Sequence, residues 1–455
     1  MTHPTAPATN PRPGPPGRGR WLPNPLASRA GRLLGFFFLY ITEGIPLGFT
    51  ATAVATYMRR RGVPADQISI FVGTLYLPWS WKWLFGPIVD VISSERFGRR
   101  RTWIVAAQAL MVLTLMAAIP VDFSAQLRLF TWIVLAHNLF GAVQDVAIDA
   151  LACNVLEEKE RGLANGLMFG GAYLGQAIGG SGVLFLAPYT GFKATFFFVA
   201  ACVLSVTLMV ALPMIEPRGA ARPPAAGGLW RAAGRELRGY LATAAKAFLG
   251  TRAARVGLAF ALLPGGSYAL SMALSSNLAV EIGLSDHAIA SLGLVTTLVA
   301  GSCCVLGGCL SDALGRRRMM ALYLVGTAIP TVWMGLALLR HGWIMPVDPT
   351  LSQRPLGPPS LVTVYWATAI LFAVFQGLMY GTRTALFMDI CEPAVAATQF
   401  SAYMAMLNFV IFYSGVWQGL TIRRWGYPVT LFIDAAAGLV CIALLPWITP
   451  RRGSG

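Results

Sequence analysis

The chain has 455 residues, of which 56% are hydrophobic and only 12% charged, with a mean hydropathy of +0.62. That charged share is about half the usual one for a soluble protein, and the apolar residues come in long blocks. Disordered, collagen-like, coiled-coil and disulfide-stapled secreted classes are therefore excluded, and the composition is that of an integral membrane protein. An excess of 35 Lys and Arg over 19 Asp and Glu, a formal +16, needs a positional explanation.

Residues 1–32 are rich in Pro, Gly and Arg and hold no short apolar core of the kind a secretory signal needs before Leu33. They read as a disordered cytoplasmic leader, with the first membrane helix as insertion signal. A bilayer core of about 30 Å takes roughly 20 apolar residues per helix. On that measure the first six spans fall at 33–57, 67–90, 102–121, 127–150, 162–186 and 192–213. The second six fall at 255–279, 286–310, 319–340, 360–388, 399–421 and 428–448. The expected fold class is all-α, twelve spans in two groups of six: an N-terminal bundle at 33–213 and a C-terminal bundle at 255–449. A linker at 214–254 carries an amphipathic surface helix, and 450–455 form a tail.

The positive charges set the orientation. With both termini in the cytoplasm, 24 of the 35 Lys and Arg lie inside and nine outside, leaving Lys82 and Arg383 within spans. The positive-inside rule then places both termini inside, and the +16 requires no nucleic acid. Arg59, Arg60 and Arg61 run against this bias on the outside. The seven cysteines form no CxxC pair and have no clustered histidines, so they read as packing residues with no metal. There is no nucleotide loop, no HExxH and no serine–lysine motif, which argues against an enzyme or an ATP-driven pump.

The two groups of spans echo one another. Gly86-Pro-Ile-Val-Asp90 precedes Phe97-Gly98-Arg99-Arg100-Arg101, and Gly308-Cys-Leu-Ser-Asp312 precedes Gly315-Arg316-Arg317-Arg318. A tight turn carrying guanidinium forks beside a helix-end carboxylate can latch onto carboxylates or terminal carbonyls of neighbouring helices. Asp90, Arg99, Arg100, Arg101, Asp312, Arg316 and Arg317 are the gating candidates.

This doubled loop resembles the signature of the major facilitator superfamily, and the resemblance spans nearly the whole chain. Gly44-Ile-Pro-Leu-Gly48, the WSWKWLFGPIVD run ending at Asp90, FGRRRTW at Phe97–Trp103 and QDVAIDA at Gln144–Ala150 are similar to the AmpG-type muropeptide permeases. They are equally similar to acetyl-CoA transporters of the same group, which also holds some siderophore permeases. The paired stretches Glu160–Gly162 and Ala397–Ser401 fit the same pattern. The resemblance implies two six-helix bundles about a central cavity and rocking alternating access. It implies a monomeric inner-membrane secondary transporter without cofactor, its partners a medium-sized polar or anionic solute, protons and membrane lipid. Muropeptide ranks first, ahead of a siderophore or acyl-CoA-type solute. The first, fourth, seventh and tenth spans would line the cavity.

A charge in mid-bilayer costs several kcal/mol, so each one is a functional candidate unless tied structurally. Glu43 lies about 15 Å into the first span, at 1.5 Å per residue, beside the expected helix break Gly44-Ile45-Pro46-Leu47-Gly48. The seventh span repeats the break as Pro264-Gly265-Gly266 without a carboxylate. Glu43 is the first candidate for proton coupling and Asp145 the second; a buried glutamate bonded to a hydroxyl is the plain alternative. Lys82 and Asp145 share a depth and suit an ion pair, either a static tie or a gate. Asp149, nearer the surface, suits a latch receiving Arg99 to Arg101. Repeat alignment puts Arg383 at the position equivalent to Asp145, so the two are expected to face each other across the cavity. Arg383 would bind an anionic group, with Asp145 competing when the cavity is empty, or would instead snorkel to the surface. Tyr40, Tyr268, Tyr380 and Gln144 complete the solute-binding candidates. Gln108, His137 and Asn138 suit interhelical hydrogen bonds, and Gly166, Gly170, Gly171, Gly175, Gly179 and Gly180 suit a helix-packing stripe.

Overall fold

The computed structural model describes residues 22–91, 97–123, 125–217, 229–353, 355–391 and 396–448, and their regular elements are all helices. Thirteen main helices follow in order: α1 (Arg29–Arg60), α2 (Ala65–Thr74), α3 (Arg99–Ala118), α4 (Leu127–Val155), α5 (Glu158–Ala177), α6 (Phe192–Ala211) and α7 (Leu229–Gly250). Then come α8 (Arg252–Leu262), α9 (Ala273–Glu281), α10 (Asp286–Leu314), α11 (Arg316–Arg340), α12 (Pro359–Ile390) and α13 (Ala396–Val440). Among the described residues eight helices are long and apolar enough to cross a membrane: α1, α3, α4, α6, α10, α11, α12 and the Gln399–Trp447 stretch containing α13. This is an all-α, multi-span membrane protein.

The eight differ from the twelve expected spans for physical reasons. The second expected span is chopped after α2 into the pieces Leu77–Ser80, Lys82–Leu84 and Phe85–Val91. The fifth is rich in glycine, which lowers its hydropathy. The seventh is split into α8 and α9 by an irregular stretch. The last two run together through Gly426, whose φ of 78° marks the bend between them. Helix α7 falls within the stretch expected to be the linker.

The break expected at Gly44 to Gly48 does not occur. Helix α1 continues through Pro46 and widens to a π-helical stretch at Phe49–Val54. The glycines there serve close approach instead. A Cβ on Gly44 or Gly48 would lie about 2 Å from the carbonyl oxygen of Ala172 or Gln176 in α5. Gly171, Gly175 and Gly179 meet the α1 backbone in the same way, whereas Gly166 and Gly170 face open space, so the stripe is shorter than expected.

One apolar cluster joins the early and late parts of the chain, through Ala53, Ile68 and Phe71 against Leu270, Leu274 and Tyr427. It lies at the end of the molecule that carries Arg59. A second cluster stays within the C-terminal part and a third within the N-terminal part.

Candidate functional site

The N-terminal part supplies a polar cluster. Lys82, in the irregular turn after α2, donates to Asp145 of α4 at 2.7 Å, which makes the expected ion pair real. Glu43 of α1 lies against Asp145 and within electrostatic range of Asp149 and Lys82, and its Oε1 is buried without a hydrogen-bond partner. Asp149, one turn beyond Asp145, accepts the Tyr40 hydroxyl at 2.5 Å. Beside them Gln144 and Gln108 both donate to the Thr42 hydroxyl, at 2.9 and 3.2 Å, and Thr207 donates to Gln108 at 2.7 Å. Gln144 is fully buried in that tie between α1 and α4.

The C-terminal part supplies a cation. Arg383 of α12 is 4% exposed. Its Nη1 donates to the Tyr268 hydroxyl at 3.1 Å and toward the Gly265 carbonyl at 3.5 Å, and its guanidinium stands 5.6 Å from the Tyr380 ring centre. Its Nε has no partner, and among the described residues no carboxylate pairs with it. Arg383 does not snorkel; it is held in the interior. Nor does it meet Asp145, which is taken by Lys82. The two parts nonetheless come near one another, since Tyr380 lies within electrostatic range of Lys82 and Tyr173 of α5 within range of Arg383.

Helix α8 ends at Leu262 because Pro264, Gly265 and Gly266 follow, with Gly266 at φ +85°. The freed backbone groups are taken up by neighbours, as interior irregular backbone requires. Gly266 N–H donates to Gly438 O at 3.1 Å, and Ser267 N–H donates to Thr327 Oγ1 at 3.2 Å. The N–H groups of Tyr268 and Ala269 both donate to Asp434 Oδ2 at 2.9 Å. Asp434 lies in an apolar run and carried the same signal as Glu43, yet it is absent from the sequence-derived site.

The two basic loops sit at the opposite end from Arg59. Arg316 binds Asp312, Asp389 at 2.7 Å and the Ala385 carbonyl at 2.8 Å, the expected grip on a helix C-terminus. With Arg317 and Arg318 it lines a recess of about 890 Å³. In the other loop the backbone N–H groups of Arg100 and Arg101 are capped by Glu216, at 2.9 and 2.6 Å. Asp149, expected to receive Arg99 to Arg101, is instead occupied by Tyr40. The side chain of Asp90 lies outside the described residues.

Two of the out-of-pattern arginines, Arg59 and Arg60, have acidic partners. Arg59 reaches Glu281 of α9 through Nη2 at 2.7 Å and Nε at 2.9 Å, with the two side chains 3% and 0% exposed. Glu281 also accepts the Val347 N–H at 2.9 Å and the Tyr427 hydroxyl. Arg60 pairs with Asp286 and donates to Leu284 O at 2.7 Å. Charge chemistry therefore ties α1 to α9, α10 and α13 at this end. The cysteines form no disulfide, and among the described residues no trio of His, Cys, Asp or Glu could hold a metal.

A helical, multi-span membrane protein with charges gathered in its interior and ion pairs tying its ends is built as a solute carrier. The Major Facilitator Superfamily model matches residues 33–255 and again 256–455, and the chain belongs to that superfamily. It is a secondary transporter. It is 24% identical over 428 residues to the anhydromuropeptide permease of Escherichia coli K12, covering 91% of this chain and 78% of that one. It is also 28% identical over 185 residues to the putative transporter AmpG 4 of Rickettsia conorii, 40% of this chain and 43% of that protein. Among solved structures, the D-xylose–proton symporter superposes with a TM-score of 0.68 at 12% identity, covering 92% of this chain and 97% of that one. A POT family transporter in complex with a thioalcohol-conjugated peptide gives 0.69 at 10% identity, covering 92% and 96%. These two likenesses concern the fold alone.

Proposed function

We propose that the chain is a proton-coupled importer that carries an anionic, muropeptide-like solute across an inner membrane by alternating access. Its twelve spans would form two six-helix bundles, at 33–213 and 255–449, with both termini inside. The observation that carries the anionic solute is Arg383: a buried guanidinium with neutral partners, an unpartnered Nε and, among the described residues, no carboxylate paired with it. An interior cation left uncompensated is costly, and a solute carboxylate or phosphate supplies the missing charge through a bidentate contact. Tyr268 and Tyr380 frame it, and Tyr40 with the Lys82–Asp145 pair would complete the binding site in this reading. The relative named as an anhydromuropeptide permease supports muropeptide as the first substrate to test.

For coupling, Glu43 is the proton carrier in this reading. Lys82 already neutralises Asp145, and Tyr40 already occupies Asp149, so Glu43 is the carboxylate with an unpartnered buried oxygen. With the basic loops inside, Arg59 and Glu281 lie at the outer end and hold it shut. The test is uptake of labelled anhydromuropeptide into proteoliposomes under an inward proton gradient, with siderophore and acyl-CoA competitors. Saturable, gradient-driven uptake blocked by unlabelled muropeptide is expected. Absence of gradient-driven muropeptide uptake, or uptake blocked by siderophore or acyl-CoA and not by unlabelled muropeptide, refutes the substrate assignment.

A further inference from the structure

Asp434 has no place in the chemistry above, yet it is among the most thoroughly bonded groups in the interior. It lies in α13, 1% exposed, beyond the Gly426 bend. One carboxylate oxygen accepts two backbone N–H groups, from Tyr268 and Ala269, and the other accepts Gln418 Nε2, each at 2.9 Å. No cation pairs with it among the described residues. Two of its donors are the amides of Tyr268, the residue whose hydroxyl holds Arg383, and of Ala269; Gly265, whose carbonyl also meets Arg383, lies three residues upstream.

The packing around it has the same sense. Gly438, one turn along from Asp434, lies so close to the break that a Cβ there would stand 2.4 Å from the Gly266 carbonyl carbon. The Tyr413 hydroxyl donates to Leu262 O at 2.8 Å, closing the last turn of α8. The irregular stretch between α8 and α9 is thus moored to α13 at both its ends, and Asp434 takes the N–H pair nearest the tyrosine. A carboxylate accepting several N–H bonds is a strong, directional anchor.

We infer that Asp434 is a positioning residue: by gripping the Tyr268 and Ala269 amides it sets the Tyr268 hydroxyl and Gly265 carbonyl that aim Arg383 at the solute. This rests on Arg383 being the anion-binding group. Asp434 then acts on solute affinity and not on proton movement, and its charge is dispensable while its acceptor geometry is not. Asp434→Asn keeps an acceptor oxygen for the two amides, and its N–H₂ meets Gln418 once that amide turns its oxygen inward. Asp434→Ala leaves three buried donors without a partner.

The experiment uses the full chain in proteoliposomes with labelled anhydromuropeptide, together with hydrogen–deuterium exchange over residues 262–274. Asp434→Ala is expected to raise KM by at least about tenfold, the loss of one hydrogen bond to a charged group, with Vmax little changed. Exchange at Tyr268 and Ala269 should quicken by a similar factor. Asp434→Asn should restore both, with gradient-driven accumulation intact, and Asp434→Ala should add nothing in an Arg383→Gln background. Tyr268→Phe, which leaves the mooring untouched, should also raise KM and stands in if Asp434→Ala does not fold. The inference is overturned if Asp434→Asn abolishes accumulation, which would make the group a proton carrier. It is equally overturned if Arg383→Gln raises KM while Asp434→Ala, or in its place Tyr268→Phe, does not. An Arg383→Gln variant with unchanged KM sinks the binding reading itself, and unchanged exchange in Asp434→Ala sinks the mooring separately.

Discussion

Replacing Glu281 by Ala tests whether the Arg59 end is a gate held by charge. Glu281 is fully buried and gathers the Arg59 Nη2 and Nε, the Val347 N–H and the Tyr427 hydroxyl on its two oxygens. Removing it strands Arg59, which is 3% exposed and, among the described residues, keeps hydrogen bonds to the Val63 and Val347 carbonyls, with Asp348 in electrostatic range. Breaking a buried pair by deleting one partner costs about 3–5 kcal/mol. That cost falls on the closed arrangement alone, because in an opened one water solvates the guanidinium. At 1.4 kcal/mol per tenfold, the closed population at this end should fall by about a hundredfold to a few thousandfold relative to the open one. The assay is labelling by a membrane-impermeant maleimide of an Ala273→Cys reporter in a cysteine-free background. Ala273 is fully buried in the cluster that joins the two parts of the chain. Labelling should be slow with Glu281 present and fast in Glu281→Ala. The double variant Arg59→Met with Glu281→Leu should return it to slow, since an apolar pair of similar volume replaces a buried ion pair at little cost. Unchanged labelling in Glu281→Ala refutes the reasoning and makes the pair a passenger of the apolar cluster.

Three further outcomes follow from the same contacts. Arg383→Lys keeps the charge but loses the planar fork, so KM for labelled anhydromuropeptide should rise by about tenfold or more; a variant at wild-type rate rules out bidentate recognition. Glu43→Gln should still exchange solute in counterflow but fail to concentrate it under a proton gradient, and retained accumulation removes Glu43 as carrier. Gly179→Ala would bring a Cβ to 1.9 Å from the Ile45 carbonyl oxygen, so thermal unfolding in detergent should show a loss of about 1–3 kcal/mol, the usual cost of overpacking. Gly170→Ala meets nothing within 4 Å and is the silent control.

Much of the site was legible because an ionisable residue inside an apolar run is expensive and therefore conspicuous. Lys82, Asp145 and Arg383 were visible on that ground, and depth alone brought Lys82 to Asp145. Asp434 carried the same signal within Leu431-Phe432-Ile433-Asp434. Glu281 and Asp389 sit just past the expected ends of their spans, where a charge looks like a harmless helix terminus. What depth could not supply is facing. Arg383 and Asp145 align by repeat and still do not touch, because Lys82 arrives from a neighbouring turn at the same height. Asp149 points to Tyr40 and not to the basic loop for a similar reason, since Tyr40 reaches it from α1.

The sequence by itself determined the class of protein, since bilayer insertion depends on the length and composition of each apolar run and on where Lys and Arg fall between them. These are one-dimensional quantities. It also marked the doubled loop, because a repeat is a property of spacing. Only the tertiary structure decided that Gly44 and Gly48 pack a helix while Gly265 and Gly266 break one, since the same residue types serve close approach or a turn according to what stands opposite. It alone turned Arg59 and Arg60 from an anomaly of the charge pattern into a tie, because their partners lie more than 200 residues away. Pairing between buried charges is set by three-dimensional proximity, and proximity across helices is what the linear order leaves open.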